Sequence, residues 1–118
     1  MFAEVIRVTK RLYVIETLDD LLLKVIDDTM REVFRETGTE VICSFLENNC
    51  HLKREEIAEK IEVFSTGLKK LLGSGAPVIE KLILKNLCSR LELKIEEKKG
   101  YEFSDYIKEL RKNAIVRA

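Results

Sequence analysis

The chain has 118 residues, of which 46% are hydrophobic and 36% charged, and its 21 basic and 21 acidic side chains cancel. That length fits one domain, which can bury roughly two thirds of its unfolded surface without staples. The cancelled charge argues against phosphate backbone as the main partner, and no apolar run reaches the ~20 residues needed to cross a bilayer.

Glutamine is absent and there is one proline, while Glu, Lys and Arg abound. This is the compositional habit of hyperthermophilic proteins. The opening run MFAEVIRVTKRLYVIE lacks the order of basic segment, apolar segment and small-residue cleavage site. A cytoplasmic protein is the expectation. Three cysteines, Cys43, Cys50 and Cys88, make no disulfide framework, and no CxxC is present. They read as small buried hydrophobes, with a bridge to Cys88 as the alternative. No cofactor or metal is expected.

In residues 1–16, Ile6, Val8, Leu12 and Val14 alternate with polar neighbours, which is strand spacing. Val5, Val8, Leu12 and Ile15 also fit a helix; the β-branched content favours short strands broken near Lys10. From Thr17, a cap followed by Asp19 and Asp20, a helix is predicted with Leu18, Leu21, Leu22, Val25, Ile26, Val33 and Phe34 on one stripe. Gly38 is expected to stop it in the left-handed conformation. Thr39 then caps a second helix carrying Val41, Ile42, Phe45 and Leu46, which ends at ENNC.

LKREEIAEKI predicts a short charged helix with Leu52, Ile57, Ala58 and Ile61 inward, and VFSTGLKKLL another with Phe64, Leu68, Leu71 and Leu72 inward. A long helix at about 75–91 carries Val78, Ile79, Leu82, Ile83, Leu84, Leu87, Cys88 and Leu91. Apolar residues surround most of that cylinder, so it is expected to be central and buried. The period then changes: Leu91, Leu93 and Ile95 alternate, Lys99-Gly100 turns, and Tyr101 and Phe103 return, which predicts a hairpin. Ser104 and Asp105 start a last amphipathic helix with Tyr106, Ile107 and Leu110. The expected fold is mainly α: a compact single-domain bundle around the 75–91 helix, its helical core about 17–92. Short antiparallel β elements are expected in the 1–16 extension and at about 92–103, within a C-terminal hairpin and helix over 93–118. The predicted core is Leu22, Val25, Phe45, Phe64, Leu68, Leu72, Ile79, Leu82, Ile83, Leu87 and Leu91.

Between two of these helices lies LLGSGAPV, residues 71–78. A Walker loop needs GxxxxGK followed by Ser or Thr after a strand, and a dinucleotide turn needs GxGxxG there. Here the pair follows a helix, has no third glycine and has no lysine in the loop. Gly73, Ser74, Gly75 and Pro77 therefore read as a structural corner, with Gly73 ending one helix and Pro77 in the first turn of the next.

The run Phe64, Leu68, Leu71, Gly73, Gly75, Ile79, Glu80, Ile83, Leu87 and Leu91 is similar to a small archaeal helical "output domain" of signalling proteins, of the Nitrosopumilus output-domain type. The resemblance spans about residues 22–92 and is firmest at 61–92. It implies a compact helical module attached to sensing or regulatory chains, with no catalytic residues to carry over.

No Ser elbow, kinase loop or metal motif is present, and the lone His51 lies in a polar turn. Acidic pairs such as Asp27-Asp28 and Glu96-Glu97 read as solvated faces. The leading expectation is a non-enzymatic interaction or signalling module, self-associating or bound to a protein partner, because the 78–91 helix and the strand edges leave surplus apolar surface. The alternative is a winged-helix-like DNA-binding regulator, with Ser65, Thr66, Lys69 and Lys70 facing the major groove and Lys98 and Lys99 at a wing tip. A helical pocket for a small ligand is a third option.

Overall fold

A computed structural model describes residues 15–94 and 96–113. The first helix, α1, runs Ile15–Cys50 and is bent at Arg35 (φ 64°, ψ −176°). Leu18, Leu22, Val25, Ile26, Thr29 and Met30 are buried along its first limb, and Thr39, Ile42 and Leu46 along its second, both at helical spacing. The helix begins ahead of the expected Thr17 cap, and the predicted stop at Gly38 is corrected. Arg35 takes the left-handed φ, while Gly38 does not. What Gly38 supplies is space: a Cβ there would stand 2.8 Å from the Phe34 Cβ. The Thr39 hydroxyl donates to the Arg35 carbonyl at 2.7 Å, across the bend.

His51, at φ 53°, turns the chain out of α1, and the Leu52 amide donates back to the Leu46 carbonyl at 3.1 Å. The expected 52–61 helix contracts to one 3₁₀ turn, Arg54–Glu56, whose entry amide on Lys53 is capped by the Glu56 carboxylate. Leu52, Ile57, Ala58 and Ile61 are nevertheless buried, as their spacing predicts.

The second helix, α2, spans Ile61–Leu72 and buries Ile61, Phe64, Ser65, Gly67 and Leu68. Gly73 closes it at φ 58°, and a 3₁₀ turn of Gly73–Gly75 leads straight into α3, Ala76–Arg90. This is a corner between two helices. Its two glycines differ: Gly75 sits at φ −76°, ψ −20°, where any residue fits.

Helix α3 packs against α1, against α2 and against the last helix, α4 (Phe103–Lys112), so it is central. It is not sheathed all round. Ala76, Ile79, Glu80, Ile83, Leu84, Leu87 and Cys88 are buried, whereas Val78 is 60% exposed and Leu82 half-buried. Of the predicted core, Leu22, Val25, Phe64, Leu68, Ile79, Ile83 and Leu87 are buried, Phe45, Leu72 and Leu91 lie half-buried against it, and Leu82 is half-buried without joining it.

No strand occurs among the described residues, so the hairpin expected at 92–103 is corrected. The Lys99-Gly100 turn does form, with the Tyr101 amide donating to the Lys98 carbonyl and Gly100 at φ 83°. Its flanks do not pair, because Phe103 belongs to helical spacing. Phe103 and Ile107, one turn apart on α4, both enter the core, and the Phe103 ring lies 6.4 Å from that of Phe64. Near-complete burial of these two side chains outweighs what the alternating Leu91 and Leu93, half-buried among charged neighbours, would add to a hairpin. The β elements expected within residues 1–14 lie outside the described residues, and 15 and 16 belong to α1. Polar ties join the helices: Asn86 donates to Thr29 at 2.9 Å, Arg90 to Asp28 at 3.0 Å, Lys108 to Glu62 at 2.8 Å, and Arg111 to Asp19.

Candidate binding groove

A concavity of about 910 Å³ lies between the end of α2, one flank of α3, the 97–102 segment and the start of α4. Pro77 and Leu84 of α3 and Phe103 and Tyr106 of α4 give it apolar walls. Five lysines line it, Lys69, Lys81, Lys85, Lys98 and Lys99, against three glutamates, Glu80, Glu97 and Glu102. In a chain whose charges cancel, this face therefore carries a positive excess.

Some of those lysines are already engaged. Lys69 pairs with Glu102 at 3.1 Å and Lys81 with Glu97 at 3.7 Å. Lys98 holds both oxygens of Glu109, at 2.9 and 3.0 Å. Lys85 and Lys99 have no ion-pair partner among the described residues. Such exposed pairs contribute little to stability, about 0–1 kcal/mol each, and exchange readily with an incoming charge.

The far wall, residues 98–102, is tied to α4 by polar contacts. The Lys98 amide donates to the Tyr106 hydroxyl at 2.9 Å, and the Tyr101 hydroxyl donates to Glu109 at 3.0 Å. The Tyr101 and Tyr106 rings meet edge to face at 5.0 Å, with the Lys98 ammonium 5.2 Å above Tyr101. Hydrogen bonds from Lys98 and Tyr101 hold the Glu109 carboxyl below its ordinary value; the same carboxylate pushes Lys98 and Tyr101 up.

Glu80 lines the groove yet is only 6% exposed. It accepts a hydrogen bond from the buried Ser65 hydroxyl of α2. Burial pushes the Glu80 carboxyl above its ordinary value, with Ser65 and the Lys69 charge opposing and Glu102 reinforcing. The pair pins α2 to α3 directly behind the corner. Its signal was in the spacing: Ser65 falls on the Ile61–Leu68 stripe, and Glu80 one turn after Ala76 on the buried stripe of α3.

Of the residues named for the DNA alternative, Lys69, Lys98 and Lys99 converge on this groove, while Thr66 and Lys70 are exposed on α2 outside its lining. Ser65 is corrected: it faces inward, onto Glu80. Sequence reasoning did not single out Lys81, Lys85, Tyr101 or Tyr106 as site residues. Their convergence depends on α4 folding back across α3.

Cys43, Cys50 and Cys88 are free thiols, and burial pushes Cys43 and Cys88 up, toward the unreactive protonated form. Among the described residues no cluster of three metal-ligating side chains occurs, and no helix is long and apolar enough to cross a membrane. No known family, characterised protein or solved structure matches the chain.

Proposed function

We propose that the chain is a non-catalytic protein-interaction module, of the signalling output type that residues 61–92 resemble, which self-associates and holds a partner segment in the α2–α3–α4 groove. The observation that carries it is the lysine excess around apolar walls in a protein of zero net charge. Apolar walls with a charged rim suit an amphipathic segment, whose apolar side meets Pro77, Leu84 and Tyr106 and whose acidic side meets Lys85 and Lys99. The duplex-DNA alternative needs Ser65 outward and a wing beside it. Ser65 is buried, and residues 92–94 and 96–102 carry no strand.

The test uses a fluorescent 15-residue amphipathic helical peptide with glutamates on its polar face, titrated with the protein at low and high salt. Binding is expected to weaken with salt, and to weaken about five- to thirtyfold in Lys85→Glu/Lys99→Glu, as loss of two attractions of about 0.5–1 kcal/mol each implies. A lysine-faced peptide binding as well as the acidic one would overturn the reading.

A further inference from the structure

The bend in α1 has no loop. Residues on both sides of Arg35 are helical, and Arg35 alone absorbs the change of direction. Its φ of 64° with an extended ψ of −176° is a combination that glycine takes freely and arginine takes under strain. Apart from Gly38, nothing in Val33-Phe34-Arg35-Glu36-Thr37-Gly38 is a strong helix breaker: there is no proline, and Arg and Glu favour helix.

Gly38 is a second, independent witness. In the bent form a Cβ at 38 would stand 2.8 Å from the Phe34 Cβ. In a straight helix the same i,i+4 pair lies about 5–6 Å apart. The glycine is thus required by the bend and not by the helix. A third observation is the ion network spanning the bend. Arg31 reaches Asp27 at 2.8 Å and Glu36 at 2.9 Å, and Arg54 reaches Glu40 at 2.7 Å and Asp27 at 3.8 Å. These groups are partly exposed, so salt weakens what holds the limbs together.

We propose that Arg35 is a hinge at which α1 straightens, so that two copies of this chain exchange their first limbs, residues 15–34, and form a swapped dimer. The occupant of each vacated place is a second copy, since only an identical limb restores the contacts of the first. Leu22, Val25 and Met30 re-enter the same core, Thr29 again meets Asn86, and Asp28 again meets Arg90. Closed and exchanged forms then differ chiefly at the hinge, where straightening relieves the strained residue in both chains. The inference rests on the self-association in the reading above and supplies its mode. The hinge shares no residue with the groove, so peptide binding by a strictly monomeric protein would sink this proposal and leave the groove reading standing.

The test measures mass in solution by size exclusion with light scattering, across concentration, for the full chain, Gly38→Ala and Arg35→Gly. Gly38→Ala crowds the bent form and favours the helix, and is expected to tighten the dimer about tenfold or more; Arg35→Gly relaxes the bend and is expected to loosen it as much. Exchange is read by mixing isotope-labelled and unlabelled chains, refolding them together, and seeking proximity between Thr29 of one and Asn86 of the other. A folded, monomeric Gly38→Ala, or a dimer in which Thr29 meets only its own Asn86, overturns the proposal. Should Gly38→Ala not fold, the other two proteins decide. A dimer formed by the wild type and weakened in Arg35→Gly supports exchange, while equal dimerisation in both, or in neither, refutes it.

Discussion

Replacing Ser65 by alanine removes the one hydroxyl that donates to the buried Glu80 carboxylate. Glu80 is only 6% exposed, so water replaces the hydroxyl poorly and the loss is that of a hydrogen bond to a charged group, at most about 1.5–3 kcal/mol. Alanine recovers roughly 0.5 kcal/mol through better helix propensity. For a domain of this size ~1 kcal/mol moves the melting temperature by about 4 °C, so Ser65→Ala is expected to melt about 4–10 °C lower. Glu80→Gln is the control, because an amide oxygen still accepts from Ser65 and carries no charge. Burial holds the Glu80 carboxyl above its ordinary 4.5, so the folded protein binds its proton more tightly than the unfolded chain does. Stability from this group is therefore complete below the ordinary value and is lost as pH rises through the folded value. Glu80→Gln should match the wild type near pH 4 and equal or exceed it at pH 7. Urea midpoints between pH 3.5 and 8 measure both effects, since other carboxylates cancel in the difference between proteins. If Ser65→Ala shifted nothing, or the glutamine variant gained on the wild type toward acid instead of toward neutrality, the account of this pair would fall.

The two corner glycines should separate cleanly in thermal melts. Gly73→Ala forces a side chain to φ 58° and is expected to cost about 1 kcal/mol, whereas Gly75→Ala, at φ −76° with its Cβ at ordinary distance from Leu72, is expected to be neutral or to gain up to ~1 kcal/mol. Equal losses at both would point to a backbone that must approach a ligand. The groove's outer wall should loosen in acid: hydrogen bonds from Lys98 and Tyr101 hold Glu109 below its ordinary value, so their stabilisation is present above that value and fades as pH falls through the folded one. The protection factors of the Lys98 and Tyr101 amides, taken against the unstructured chain at the same pH, are expected to fall there, and Glu109→Gln should lower them already at pH 7; protection unmoved by the substitution would mean that the wall is held otherwise.

How much of this was legible beforehand depends on the length scale of the cause. The apolar period placed Phe64, Leu68, Ile83 and Leu87 in the core, and the glycine spacing gave the corner, because both are settled within one or two turns of chain. The bend was misplaced by three residues for an equally local reason. Glycine is the residue that takes left-handed backbone most freely, so Gly38 attracted the assignment, yet the bend needed Gly38 for clearance from Phe34 and left the unfavourable dihedrals to Arg35. The hairpin failed because Phe103 fits two periods, and only the Phe64 ring across the core decides between them. The groove lay beyond sequence altogether. Its lysines sit on α2, on α3 and in the segment before α4, and each looks solvated in its own surroundings. Lys85 is as ordinary in the run LILKNL as Lys99 is in EEKKGY. What makes them one surface is the return of α4 across α3, which Phe103 and Ile107 enforce by burial while Lys98, Tyr101 and Glu109 fix only its outer lip. The apolar contacts thus set where the groove is, and the exposed ion pairs set how wide it stands. A partner carrying its own carboxylates would compete with Glu109, Glu97 and Glu102 for the same ammonium groups, so occupancy and the position of the 97–102 wall are coupled through Lys98, Lys81 and Lys69.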